Sequence, residues 1–219
     1  MGWCVIRLLT RRFFPVLFLE AAVFIRAKGD GGSGSGSGKT TMAEGLLKAL
    51  VSTGGKAPAW GVIKFTKTAV YTSVTADSDI LLEEGKDTAR MQVAGAAKAV
   101  WVQSPGGEEL SEALSIAIRD LESCRTGGHG PLKGVIVEGN SAIELLKPDI
   151  VIFMSGPVFK SGAERALREA DVIYRPRGAR HAGPAEAGKN KGGAVFCSEI
   201  GACVREVLKL IYEREAKGL

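Results

Sequence analysis

With 219 residues the chain is long enough for one domain with a sizeable core, and 45% hydrophobic against 24% charged residues is the balance of an ordinary globular protein. The formal net charge of +5 comes without a long Lys/Arg run, and aromatics make up only 6%. Neither a basic nucleic-acid tract nor a base-stacking platform is therefore expected, and phosphate binding accounts equally well for the modest basicity.

Met1 to Arg12 carries three arginines and residues 13–25 are nearly all apolar, which has the outline of a secretory leader. Glu20 interrupts that run, no small-residue cleavage site follows before the glycines, and the run is too short to span a bilayer. The reading is an extension over residues 1–19 and one domain over 20–219, with Ala22–Ala27 as the first buried strand and no membrane association. The cysteines, Cys4, Cys124, Cys197 and Cys203, form no C-x-x-C pair, and only His129 and His181 accompany them. A structural metal site is not expected, and the thiols read as reduced, in a cytoplasmic protein.

Next comes Gly31-Gly32-Ser33-Gly34-Ser35-Gly36-Ser37-Gly38-Lys39-Thr40-Thr41. Backbone N–H groups that converge on a phosphate need conformations that glycine reaches without steric cost. A helix starting behind them aims its positive end at the same anion. In that arrangement Gly34, Gly36, Ser37, Gly38 and Thr41 line the phosphates, Lys39 reaches the β- and γ-phosphates, and the Thr40 hydroxyl ligates Mg²⁺. The usual G-x-x-x-x-G-K-[ST] spacing puts its first glycine at Ser33, so the loop is either one residue longer or uses Ser33 in that role. Ala43, Leu46, Leu47 and Leu50 then give the following helix its inward face.

Beyond it, β-rich runs alternate with helical patterns, the signature of a parallel α/β sheet. The further strand candidates are Ala59–Phe65, Ala99–Gln103, Gly134–Glu138, Ile150–Met154 and Asp171–Tyr174. Between them Asp87 is placed to cap a helix carrying Met91, Ala94 and Ala97. Leu110, Ala113, Leu114, Ala117, Ile118 and Leu121 mark another helix, and Ile200, Cys203, Val204, Val207, Leu208 and Ile211 a C-terminal one. Residues 175–193 mix Lys, Arg and His with Gly, Pro and Ala without periodicity, and read as a basic loop.

A phosphate loop needs a carboxylate opposite it, at the end of a neighbouring strand, to order Mg²⁺ or its water. Glu138, closing the apolar run Val135-Ile136-Val137, is the candidate, and Lys64 ends the second strand on the same side. The Asn-Lys-x-Asp reader of Ras-like GTPases is missing, because Asn190-Lys191-Gly192-Gly193 lacks the aspartate. The base is thus not legible from a local motif.

Four pieces in order, Ser-Gly-Ser-Gly-Lys-Thr-Thr (35–41), Gly-Val-Ile-Lys (61–64), Gly-Lys-Asp-Thr-Ala-Arg with Ala-Gly-Ala (85–96) and Val-Glu-Gly (137–139), resemble the molybdopterin-guanine dinucleotide biosynthesis protein B family. The first and last are shared with other P-loop proteins such as dethiobiotin synthetase, whereas the third, holding Asp87 and Arg90, is more specific. The family usually has histidine after the second-strand lysine, where this chain has Phe65 and Thr66. The resemblance implies a P-loop NTPase fold, a doubly wound and mostly parallel α/β sheet with flanking helices. It also implies Mg²⁺·GTP binding with weak hydrolysis, help to a molybdopterin guanylyltransferase, and frequent homodimerisation. Lys39 and Glu138 would act on the phosphate, Thr40 and Glu138 on the metal, and Lys64, Asp87 and Arg90 on the nucleotide side. ATP in place of GTP, within a small-molecule ligase or kinase of the dethiobiotin synthetase kind, and a nucleotide switch without turnover are the alternatives. A nucleic-acid partner is not expected, since no recognition module is visible.

Overall fold

Strands and helices alternate along the computed structural model, which describes residues 16–21, 38–52, 59–83, 86–123, 132–139, 142–146, 148–155, 163–177 and 193–217. The strands are β1 (Val16–Ala21), β2 (Trp60–Lys67), β3 (Ser73–Thr75), β4 (Lys98–Ser104), β5 (Gly134–Glu138), β6 (Ile150–Met154), β7 (Val172–Tyr174) and β8 (Val195–Cys197). The helices are α1 (Lys39–Ser52), α2 (Ser78–Leu81), α3 (Asp87–Val93), α4 (Gly107–Glu122), α5 (Ile143–Leu146), α6 (Ala163–Glu169) and α7 (Ile200–Ala216).

The strands form one open sheet in the order β3-β4-β2-β5-β1-β6-β7-β8. All neighbours run parallel except β3, which lies antiparallel on β4 at one edge. Parallel strands need crossovers, and the helices that provide them cover both faces, so the central strands are apolar on both sides. In β5 and β6 every residue is buried.

Alternation along the strands divides the interior into two cores. Ile63, Phe65, Val100, Val102, Val135, Val137, Val151 and Phe153 meet Leu110, Ala113, Leu114, Ala117 and Leu121 of α4 on one face. Trp60, Val62, Ile136, Ile152, Met154 and Val172 meet Met42, Leu46, Leu47 and Leu50 of α1 and Cys203, Val204, Val207 and Ile211 of α7 on the other. Most of the expected inward stripes are the ones buried, but Ile118, Ile200 and Leu208 are only partly covered, and Ala97 lies beyond the end of α3, which closes at Val93. Among the described residues no helix is long and apolar enough to cross a membrane.

The first strand departs from the sequence reading. Ala22–Ala27 lies outside the described residues, and the strand between β5 and β6 is Val16–Ala21, which includes four residues assigned to the extension. Glu20 interrupts the apolar run in sequence, yet it continues the strand, with Phe153 as its register partner one step beyond the level of Leu19 and Glu138. The short strands β3 and β8 and the short helices α2, α5 and α6 are too brief to register as periodicity. Most of the basic segment, residues 178–192, lies outside the described residues, as do Cys4, Cys124, His129 and His181.

Candidate functional site

The carboxyl ends of β2 and β5 and the amino ends of α1 and α3 come together at one place. Helix α1 starts at Lys39, directly after Gly38, whose φ of +75° is the left-handed conformation that favours glycine. The first intrahelical bond runs from Met42 N–H to Gly38 O at 2.8 Å, so the amides ahead of it point out of the helix end, towards where an anion is favoured. Of the expected phosphate contacts, Gly38, half-buried Lys39, buried Thr40 and exposed Thr41 are described, whereas Gly34, Gly36 and Ser37 lie outside the described residues.

Parallel pairing of β2 with β5 sets Lys64 beside Glu138 in register. Register partners share a sheet face, so the two side chains emerge together on the α1 side. The Lys64 ammonium donates to Glu138 Oε1 and, at 2.8 Å, to Asp87 Oδ2 in the first turn of α3. The Thr40 hydroxyl, on α1 over the same face, stands 3.5 Å from Glu138 Oε2 and donates to it. Glu138 is 1% exposed and Thr40 5%, which makes this a buried polar cluster in which each side chain has a partner.

Asp87 was read as a helix cap or a nucleotide-side residue. It does not cap: Lys86 holds the cap position without a side-chain cap bond, and Asp87 is the first helical residue. Its carboxylate turns to Lys64 because a charge-assisted bond to a half-buried ammonium outweighs a cap bond made near solvent. Burial pushes the Asp87 carboxyl up, but the bond to Lys64, that lysine's charge, the Thr40 hydroxyl and Arg90 together bring it below the usual carboxylate value. Burial likewise opposes the charge on Lys64, and the adjoining Glu138 and Asp87 override it, raising its pKa above the ordinary lysine value.

Arg90 lies at the margin. Its guanidinium holds Glu44 of α1 through Nε at 2.8 Å and Nη2 at 3.1 Å, and its Nη1 is 3.8 Å from Asp87 Oδ1. Arg90 thus fastens α3 to α1 beside the cluster. Glu44, five residues into α1, is not singled out by the sequence, because its partner Arg90 lies 46 residues later on another helix. Trp101 was also missed. It is the register partner of Lys64 on β4, donates from Nε1 to Thr66 Oγ1 at 3.0 Å, and carries the Lys86 ammonium 5.8 Å from its ring centroid.

The exit from β5 needs glycine. A Cβ at Gly139 would stand 2.6 Å from Phe65 Cβ, so the chain leaving Glu138 passes against β2 with no room for a side chain. Among the described residues no group of three or more His, Cys, Asp or Glu side chains could hold a metal ion. The donor set of one hydroxyl and one or two carboxylates does suit Mg²⁺ bound jointly with phosphate, because that ion keeps several waters and takes few protein ligands. In comparisons with known proteins, no family model matches the chain, and no curated protein or solved structure matches it.

Proposed function

We propose that this chain is a P-loop protein that binds Mg²⁺ and a nucleoside triphosphate, with GTP preferred, and hydrolyses it slowly. The observation that carries the reading is the meeting of Thr40, at the head of the helix behind Gly-Lys, with Glu138, 98 residues later at the end of an adjacent strand. A hydroxyl and a carboxylate opposed in that way at the carboxyl edge of a parallel sheet are what phosphate-bound Mg²⁺ requires. On this reading the amides around Gly38 and the Lys39 ammonium hold the β- and γ-phosphates, while Thr40 and Glu138 hold the metal side. When bound, Mg²⁺ would neutralise charge on the phosphate oxygens. The protein's part is positioning and electrostatics: Lys39 and Lys64 offer positive charge where negative charge gathers, and Asp87 fixes Lys64.

The resemblance in residues 35–139 extends the proposal to assistance of a molybdopterin guanylyltransferase in a cytoplasmic setting. Two measurements test it. GTP is titrated against ATP in the presence of Mg²⁺, with Glu138→Gln alongside, and association with the guanylyltransferase from the same source is assayed by pull-down. Glu138→Gln is expected to spare metal-free nucleotide binding and to lose the increment that Mg²⁺ adds. Clear ATP preference without association would discard the cofactor-maturation role in favour of an acceptor-dependent ligase or kinase. No triphosphate binding at all would discard the reading whole.

A further inference from the structure

The donors facing the metal-side carboxylates belong to the chain itself. Lys64 Nζ holds Glu138 Oε1 and Asp87 Oδ2, Thr40 Oγ1 reaches Glu138 Oε2, and Arg90 Nη1 lies 3.8 Å from Asp87 Oδ1. Both oxygens of Glu138 are therefore engaged. From β4 the neighbour of Lys64 is Trp101, which brings no charge. One ammonium thus stands between two carboxylates, one of them buried at 1% exposure and costly to leave as a bare anion.

We propose that Lys64 is a built-in, exchangeable counter-ion for Glu138, and that metal and triphosphate bind cooperatively because only together do they release it. This rests on the function proposed above. A divalent ion that coordinates Glu138 puts a second cation on the carboxylate that Lys64 already neutralises, and the two like charges repel, which drives the ammonium off. The ammonium so displaced keeps Asp87 but loses its buried partner, which sets metal alone at a disadvantage. A triphosphate held at Gly38 and Lys39 supplies a new anion within the sweep of a four-carbon stem, so Lys64 moves from carboxylate to phosphate. The release of Lys64 is thereby the step that links the two ligands, and the linkage is reciprocal.

The test is Mn²⁺ binding, read by the loss of free-ion electron paramagnetic resonance signal. It is made on wild type, Lys64→Met and Lys64→Arg, with and without a non-hydrolysable guanosine triphosphate analogue. Wild type is expected to bind Mn²⁺ weakly alone and more tightly with the analogue. Lys64→Met is expected to bind Mn²⁺ alone about tenfold more tightly than wild type and to lose most of the dependence on the analogue. Lys64→Arg keeps the competing cation and should remain weak. Equal Mn²⁺ affinity of Lys64→Met and wild type, with the analogue still bound, overturns the counter-ion role and leaves the proposed function standing. Failure of wild type to bind the analogue with or without metal overturns the function instead. Should Lys64→Met not fold, the ¹⁵N ammonium resonance of Lys64 in wild type, assigned by its loss in Lys64→Arg, decides the matter. A large shift on adding Mg²⁺ with the analogue supports the exchange, and an unmoved resonance refutes it.

Discussion

At the head of α1, Lys39 sits one residue after a left-handed glycine and one before a buried threonine that faces Glu138. On the proposed function its ammonium makes charge-assisted contacts to phosphate. Lys39→Ala should then lower triphosphate affinity by on the order of 1.5–3 kcal/mol while the fold is retained. Isothermal calorimetry reads the first and circular dichroism the second, and unchanged affinity would remove the loop from the site. The Lys64–Asp87 pair allows a prediction that is independent of any ligand. Asp87's carboxyl lies below its ordinary value of 3.8, so its stabilising contribution is complete above that pH and is lost as the pH falls through the lower folded value. Lys64's pKa is raised above 10.5, so its contribution is complete below that and is lost only in strong alkali. Between those limits Asp87→Asn should be less stable than wild type by a constant margin, and below about 3.8 the margin should shrink. Urea unfolding of both proteins across acid and neutral pH checks this; a margin that grows in acid would contradict it. Lys64, Asp87 and Glu138 are each legible in the sequence as a strand end or a helix start. Their meeting is not, because it depends on β2 pairing with a strand whose Glu138 lies 74 residues after Lys64 and on the start of α3 lying against β2.

At the scale of elements, long periodic helices are legible because burial of one stripe leaves a mark every three to four residues; α1 buries its whole expected stripe, and α4 and α7 bury theirs except for the partly covered Ile118, Ile200 and Leu208. The three-residue strands β3 and β8 leave no such mark, although β7, equally short, falls within the Asp171–Tyr174 candidate. The placement of β1 shows how a local rule loses to the sheet: a charged residue ends an apolar run in sequence, yet Glu20 remains paired, at the carboxyl end of its strand. The close approach of the chain leaving β5 to its neighbour β2 gives an element-level prediction. Gly139→Ala puts a methyl group 2.6 Å from Phe65 Cβ, and neither backbone can yield without disturbing the pairing that sets Lys64 beside Glu138. The substitution should cost about 1–3 kcal/mol of stability by overpacking and should also weaken Mg²⁺-dependent nucleotide binding. Chemical denaturation and a nucleotide titration on the same sample separate the two effects. A fully stable variant would mean that the strands part more easily than their close approach implies.

Across the whole molecule, α7 connects the site to the far end of the sheet. A Cβ built on Gly38 would meet Ile200 Cδ1 at 3.8 Å and Met154 Cε at 3.7 Å, so the start of α7 packs beneath Gly38, at the head of α1. Some four turns later Arg214 Nη2 donates to Asp171 Oδ1 at 3.0 Å, and Asp171 Oδ2 accepts the Val151 N–H at 2.8 Å, which ties the helix to the amino ends of β6 and β7. Lys133 and Glu215 add an ion pair at 2.9 Å at the same end. Val204, Val207 and Ile211 fill the core between the two ends, so the helix is held along its length by apolar contact. That arrangement predicts that stability and binding separate. Arg214→Met removes the charge-assisted bond at a partly exposed position and should cost about 1 kcal/mol of stability. Its folded molecules should bind Mg²⁺·triphosphate as wild type does, because the apolar middle of α7 still fixes Ile200 against Gly38. Ile200→Ala, at the near end, should instead weaken binding, because it withdraws the support beneath Gly38 while leaving Arg214 in place. Thermal melting and nucleotide titration of the two variants check this. Equal loss of binding in both would show that α7 moves as a rigid rod pinned at Arg214, and that the head of α1 depends on the opposite end of the sheet.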